Sequence, residues 1–393
     1  MHVDDDRVRQ LQDAMRRDGV DAVVVRLPEN VTLLTGYYQQ IGGLGLVSVP
    51  AEGGATLLVP DYEEAEASQR WPGEVLPFPA IRLDGPPTGT AIADQLAALA
   101  RRDGSTGGTV GFEGSFESIA PPTLAGEPNA VGLPTQALLR ETFSTERLHD
   151  VTETLESMRA IKNERDLAAL RRVNEIAMIG LDAFKELALP GISEVALAAR
   201  VEAAVNERGA GYRDARIVRA YATVYAGPDL ANGWQYFRSR TRVIQANEVV
   251  MLEMGTVADG YWCDHTRTVV AGRATERQRE ADAAARAAAT AALRAAVPGV
   301  SGHDVDAAAR AACAEAGFVQ FPHHTGHGTG FRYHETRPQC VPGSTHPIER
   351  GQVIVSEPGI YADELAGGFR WEDDAVVGAH GAELLATSTY GVD

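Results

Sequence analysis

The segment Phe321-Pro322-His323-His324-Thr325-Gly326-His327-Gly328-Thr329-Gly330-Phe331-Arg332-Tyr333-His334-Glu335 has a composition that ordinary packing does not explain. Four histidines and three glycines fall within fifteen residues. Imidazoles need polar partners, and glycines give a strand or turn nothing to bury. Something must sit against this backbone. Carboxylates set singly into otherwise apolar segments, at Glu253, Asp264, Glu357 and Glu372, point to a metal ion.

Working outward, Glu248-Val249-Val250-Met251-Leu252-Glu253-Met254-Gly255 reads as a strand interrupted by one carboxylate, and Asp264 follows eleven positions after Glu253 in a second strand-like run, Tyr261 to Val269. Ala258-Asp259-Gly260 between them has hairpin chemistry, so the two carboxylates are expected face to face. Such a pair repels unless it is protonated or bridged by a cation, although an arginine such as Arg267 or a capping amide would also serve. Glu357 follows the apolar run Val353 to Val355, and Glu372 precedes Ala375-Val376-Val377. With His327 these make four carboxylates and one imidazole. That oxygen-rich set suits hard or borderline ions such as manganese, and five ligating groups suggest two of them.

The surrounding elements are readable by period. Leu189-Pro190-Gly191-Ile192-Ser193 and Val297-Pro298-Gly299-Val300-Ser301 lie 108 residues apart, and each precedes an alanine-rich helix that a serine can cap and a glycine, Gly209 or Gly317, can close. Coincidence between two alanine-rich helices is one reading. An internal duplication is the other, and it predicts a pseudo-symmetric domain with its site between the halves. Apolar residues from Leu148 to Ile179 recur at helical intervals, with Asn163-Glu164 placed to cap a second helix. Before them, a helix over residues 7–18 and another from Ala91 to Arg101 alternate with strand-like runs at Val20–Val25, Leu44–Val49, Ala55–Val59 and Val110–Glu113, with Pro28-Glu29-Asn30 ending the first. This implies an α/β domain with a mixed sheet. The domains are expected at 1–150 and 151–393.

Composition narrows the function. The 393 residues, 44% apolar and 23% charged, can bury a large core. A formal charge of −18 makes a nucleic-acid or anionic-membrane surface a poor expectation. The three cysteines, Cys263, Cys313 and Cys340, have no metal-type spacing. The acidic opening residues lack the order of a signal peptide, and no apolar run approaches the roughly 20 residues of a membrane span, so a cytoplasmic protein is expected.

These residues resemble the pita-bread metalloenzymes: Xaa-Pro aminopeptidase, Xaa-Pro dipeptidase, methionine aminopeptidase and creatinase. Gly260 to Thr268, Thr325 to Gly330, Glu357-Pro358-Gly359-Ile360-Tyr361 and Arg370-Trp371-Glu372-Asp373 match that pattern in the family's order, and Pro28 to Gly36 resembles the creatinase-type N-terminal domain. The implied architecture is α+β, a creatinase-type α/β domain followed by a pseudo-two-fold catalytic domain. The resemblance implies two divalent ions, manganese first and cobalt, zinc or iron otherwise, held by Glu253, Asp264, His327, Glu357 and Glu372. It implies that Glu357 moves the proton, that His334 steadies the substrate or tetrahedral intermediate, and that Arg370 orients the carboxylates. A hydroxide shared by the two ions would attack the amide carbon of a short peptide, and a homodimer is expected.

Two positions depart from the family pattern. Glu253 stands where the family has an aspartate, and creatinase has a glutamate there that contacts substrate. Trp234 or Gln235 replaces a loop histidine of the Xaa-Pro enzymes. Trp234, Tyr261 and His324 are candidate pocket walls, with core or surface roles open to each. The leading expectation is an Xaa-Pro peptidase-like metallohydrolase. The alternatives are a small-molecule enzyme on the same scaffold, either a creatinase-like or ectoine-hydrolase-like C–N hydrolase or a lyase, and a non-catalytic binding relative.

Overall fold

A computed structural model describes residues 3–39, 44–80, 85–114, 133–232 and 238–388. Contacts divide the chain into two compact units, Met1–Arg159 and Ala160–Asp393.

In the first unit, α1 (Val3–Asp18) buries Val8, Leu11 and Met15, the stripe its sequence predicts. After β1 (Ala22–Val25), the residues that look only like strand terminators begin a helix, α2 (Pro28–Thr35). Pro28 takes the first turn, where a missing N–H leaves no bond unmade, and Gly36 closes the helix at φ 72°. Then come β2 (Leu46–Pro50), β3 (Thr56–Pro60), α3 (Glu64–Arg70), β4 (Glu74–Phe78), α4 (Thr88–Arg102), β5 (Val110–Phe112), α5 (Leu133–Phe143), β6 (Leu148–Asp150) and α6 (Thr152–Ala160). The sheet runs β4-β3-β2-β1-β5-β6. Its β1–β5, β3–β4 and β5–β6 pairs are parallel and the other two antiparallel, a mixed sheet. Leu148, which continues the helical spacing in sequence, instead pairs with Val110 as a strand residue. Val24, Leu58, Phe78, Leu96 and Phe143 form the core between the sheet and α4 and α5.

The second unit is built twice. Helices α7 (Glu164–Leu187) and α8 (Glu194–Gly209) pack on an antiparallel sheet of β7 (Val218–Ala226), β8 (Val249–Ala258) and β9 (Tyr261–Val270). Helices α9 (Glu276–Ala295) and α10 (Gly302–Glu315) belong with the second half: β10 (Gly326–Gly328), β11 (Glu335–Cys340), β12 (Val353–Ser356), β13 (Gly359–Ala362), β14 (Gly367–Arg370), β15 (Asp373–Val377) and β16 (Ala382–Leu384). Five of these strands form a sheet in the order β11-β10-β12-β15-β16, and β13 pairs with β14.

The repeated motifs do equivalent jobs. Ser193 caps α8 through Ala196 N–H, and Ser301 caps α10 through Asp304 N–H. Gly191 (φ 96°) donates to Ile244 O, as Gly299 (φ 94°) donates to Ile348 O. The long helix α7 starts as its sequence suggests, with Asn163 and Asp166 forming a reciprocal capping box. Alanines along α9, among them Ala281, Ala285, Ala288 and Ala292, are buried with Met251, Ile354 and Phe369 in the core of this unit.

Candidate metal centre

The β8–β9 hairpin supplies the first carboxylates. Asp259 (φ 48°) and Gly260 (φ 84°) both take the left-handed conformation, which matches the twist of the flanking strands. The resulting register sets Glu253 opposite Thr266 and Asp264 opposite Gly255. Glu253 and Asp264 therefore share a face but meet diagonally, two residues out of step with the face-to-face arrangement expected from sequence.

His327 arrives on β10, between β11 and β12. The flanking glycines are required by that position, not by a ligand. A Cβ on Gly326 would lie 1.9 Å from Val355 O, and one on Gly328 would lie 2.1 Å from Arg337 O. Glu357 leaves the end of β12, and Glu372 bridges to Thr266 on β9, so strands from both halves deliver their carboxylates to one buried place.

At its centre, His327 Nδ1 lies 2.8 Å from Gly328 O. Donation to that carbonyl fixes the tautomer and leaves the Nε2 lone pair facing inward. Nε2 is 3.3 Å from Glu357 Oε1 and 3.6 Å from Asp264 Oδ2, yet it is aligned with neither and is buried without a hydrogen-bond partner. His334 Nε2 stands 3.7 Å from the same Asp264 oxygen, and His324 Nε2 is 2.7 Å from Glu357 Oε1. Donor atoms of Asp264, His327 and His334 lie within 4.8 Å of one another, as do those of His324, His327 and Glu357. Such a spacing suits ligands at about 2.0–2.2 Å around a shared ion. An orphaned imidazole nitrogen among anionic oxygens fits a divalent cation.

Electrostatics support this. Burial opposes charge on His327, but Asp264 and Glu357 outweigh it and raise its pKa to about 10. Asp264, despite burial, is held at about 2 by His327 and His334, and Glu357 is held well below the usual range by His324 and His327. Glu372 moves the other way: burial first, then Asp264 and Glu357, push it well above a normal carboxyl, and Thr266 Oγ1 donates to it. The pocket thus carries more carboxylate than its side chains can balance.

Glu253 has other company. Its Oε2 accepts from Arg370 Nη2 and, at 3.0 Å, from the Tyr225 hydroxyl. The Tyr333 hydroxyl donates to Asp264 Oδ1 at 2.7 Å and lies 3.5 Å from Glu253 Oε1. Arg370 also stands 3.8 Å from both Glu357 and Glu372. Behind the centre, Arg267 bonds Asp373 at 2.6 Å and Glu372 O at 2.7 Å, holding the β14–β15 connection in place.

Tyr261 is not brought to this cluster. Strand alternation turns it to the other face, where its hydroxyl donates to Asp166 at 2.9 Å. Cys263 shares that face, 3.6 Å from Val173 O on α7. Trp234 lies outside the described residues. Tyr225 and Tyr333 are the site residues that sequence reasoning misses. Tyr333 sits inside the histidine stretch, and its position beside His334 is the one signal for it.

The fold and site together define a class, the pita-bread metallohydrolases. More particularly, residues 168–379 match metallopeptidase family M24, and the chain belongs to that family. Residues 7–161 match the creatinase/prolidase N-terminal domain. The chain is 28% identical over 386 residues to an uncharacterized peptidase, YqhT, of Bacillus subtilis, covering 97% of this chain and 98% of the relative. It is 28% identical over 379 residues to an Xaa-Pro dipeptidase of Lactobacillus delbrueckii subsp. lactis, covering 94% and 93%. Among solved structures, a recombinant prolidase from Thermococcus sibiricus superposes with a TM-score of 0.77 at 25% identity, covering 100% of this chain and 99% of the other.

Proposed function

We propose that this metallohydrolase cleaves the C–N bond of short peptides, with an Xaa-Pro dipeptide as its first substrate class. The observation that carries the reading is the orphaned Nε2 of His327, set between Asp264 and Glu357. His327, Asp264, Glu357 and Glu372 would hold the cation, with Glu253 beside them. A bound divalent ion lowers the pKa of water and stabilises negative charge developing on a carbonyl oxygen.

The protein's own groups supply the rest. Glu357 is the proton carrier, and His324, 2.7 Å from its Oε1, is placed to pass that proton on. His334, its ring 3.8 Å from that of His327, would steady the substrate or the tetrahedral intermediate. Arg370 fixes Glu253 and restrains Glu357 and Glu372 from 3.8 Å. A groove of about 710 Å³, lined by Phe321, His323, His324 and Arg310 among others, borders His324 but none of Asp264, His327, Glu357 and Glu372. We place the working protein in the cytoplasm as a homodimer, with manganese, cobalt, zinc or iron as its ion.

The occupation of Glu253 by Arg370 and the Tyr225 hydroxyl, which draws one carboxylate away from the metal set, favours a second reading, a small-molecule enzyme on the same scaffold acting on a guanidino, amidine or sulfonium compound. A panel of Xaa-Pro dipeptides and such cationic compounds separates the two. Peptide turnover supports the first reading. Turnover of a cationic small molecule without peptide cleavage replaces it with the second.

A further inference from the structure

We propose that the centre holds one metal ion, on the His327 side, and that Tyr333, Tyr225 and Arg370 close the Glu253 side against a second; the inference rests on the metal-dependent reading above. The two oxygens of Asp264 face different partners. Oδ2 faces the imidazoles, 3.6 Å from His327 Nε2 and 3.7 Å from His334 Nε2. Oδ1 is occupied, accepting from the Tyr333 hydroxyl at 2.7 Å.

An ion bridging Asp264 to Glu253 would stand where that phenol oxygen now stands. The hydroxyl lies 3.5 Å from Glu253 Oε1 as well, so it spans the gap between the two carboxylates. Tyr333 is fully buried and packed, stacked on His334 at 4.8 Å and edge-on to Trp262 at 6.1 Å. Its hydroxyl cannot swing away without moving the ring.

Glu253's other oxygen is also spoken for, by Arg370 Nη2 and the Tyr225 hydroxyl. A guanidinium is charged at every working pH, so this carboxylate is already neutralised. Bringing a dication to it would bury two positive centres side by side, in surroundings that screen them poorly. The candidate donor clusters around the centre agree: among the described residues, the two that contain Asp264 or Glu357 share His327, and neither includes Glu253.

One consequence follows for metal choice. Counted in sequence, the ligand set is four carboxylates and one imidazole. Around His327 in space, each candidate donor group sets two imidazoles beside one carboxylate: His327 and His334 with Asp264, and His324 and His327 with Glu357. A nitrogen-rich set shifts preference from manganese toward zinc, cobalt or iron.

The full chain, stripped by chelation, should be titrated calorimetrically with zinc and, separately, with manganese. One ion per chain is expected, with zinc at least tenfold tighter. Two ions per chain in the wild-type protein would overturn the inference while leaving the metallohydrolase reading intact, and no binding at all would remove both. Combining Glu253→Asp with Tyr333→Phe should raise the stoichiometry to two; a folded double variant that still binds one refutes the closing role given to Tyr333. If that variant does not fold, anomalous diffraction from cobalt-soaked wild-type crystals decides. A single peak beside His327 is expected, and a second peak beside Glu253 contradicts it.

Discussion

Replacing His327 by alanine removes the one nitrogen that Asp264 and Glu357 both face, so metal affinity should fall by on the order of 10²-fold or more, with turnover lost in parallel. Calorimetry on the folded variant checks this, and near wild-type affinity would move the ion elsewhere. A second prediction concerns Glu113 in the first unit. Its carboxylate is buried, and burial raises its pKa against the bonds it accepts from Leu27 N, Asn30 Nδ2 and Arg26 N. Because the folded pKa lies above the unfolded value near 4.5, stability from this group is complete below that value and is lost as pH rises through the raised one. Glu113→Gln should therefore gain stability relative to wild type as pH rises from about 4 to about 7.5, read from thermal melts at both values. An unchanged difference between the two pH values would show that Glu113 is ionised at no cost. At this scale the histidines and lone carboxylates are legible because their chemistry is out of place in apolar runs. Tyr225 and Tyr333 are not, because a buried tyrosine looks like core until its hydroxyl is seen to have a partner.

Elements explain why the site is assembled where it is. The hairpin turn at Asp259-Gly260 and the caps at Asn163, Ser193 and Ser301 are all visible in sequence, since each depends on a residue type at one position. Register follows from the length of that turn: a two-residue Asp259-Gly260 loop pairs Ala258 with Tyr261 and so sets Asp264 opposite Gly255, whereas facing Glu253 with both residues still in the turn would need a longer loop. The start of α2 is not visible, because Pro28 reads equally as a strand stop and as a helix start. The approach of β10 to its neighbours yields a direct test. Gly328→Ala places a methyl group 2.1 Å from Arg337 O, a backbone atom that cannot step aside cheaply. The substitution should cost on the order of 1–3 kcal/mol and displace His327 with the strand, lowering both melting temperature and metal affinity. A variant with unchanged affinity would mean that β10 does not position the ligand.

Over the whole molecule, the duplicated second unit is legible because it leaves a mark at long range, a repeated Pro-Gly-hydrophobic-Ser motif 108 residues apart. What the centre does with its ligands could not be read, since that depends on which oxygens Arg370 and Tyr333 already occupy. The account also predicts that binding a divalent ion stabilises the folded chain by mass action, about 2.7 kcal/mol at a hundredfold excess over the dissociation constant. Its central claim is that hydrolysis of a C–N bond depends on the ion at His327. The most direct test follows cleavage of an Xaa-Pro dipeptide by the wild-type chain before chelation, after removal of metal, and after stoichiometric zinc or manganese is restored. Activity that disappears and then returns is the predicted result, and cleavage that persists in the metal-free protein would contradict it.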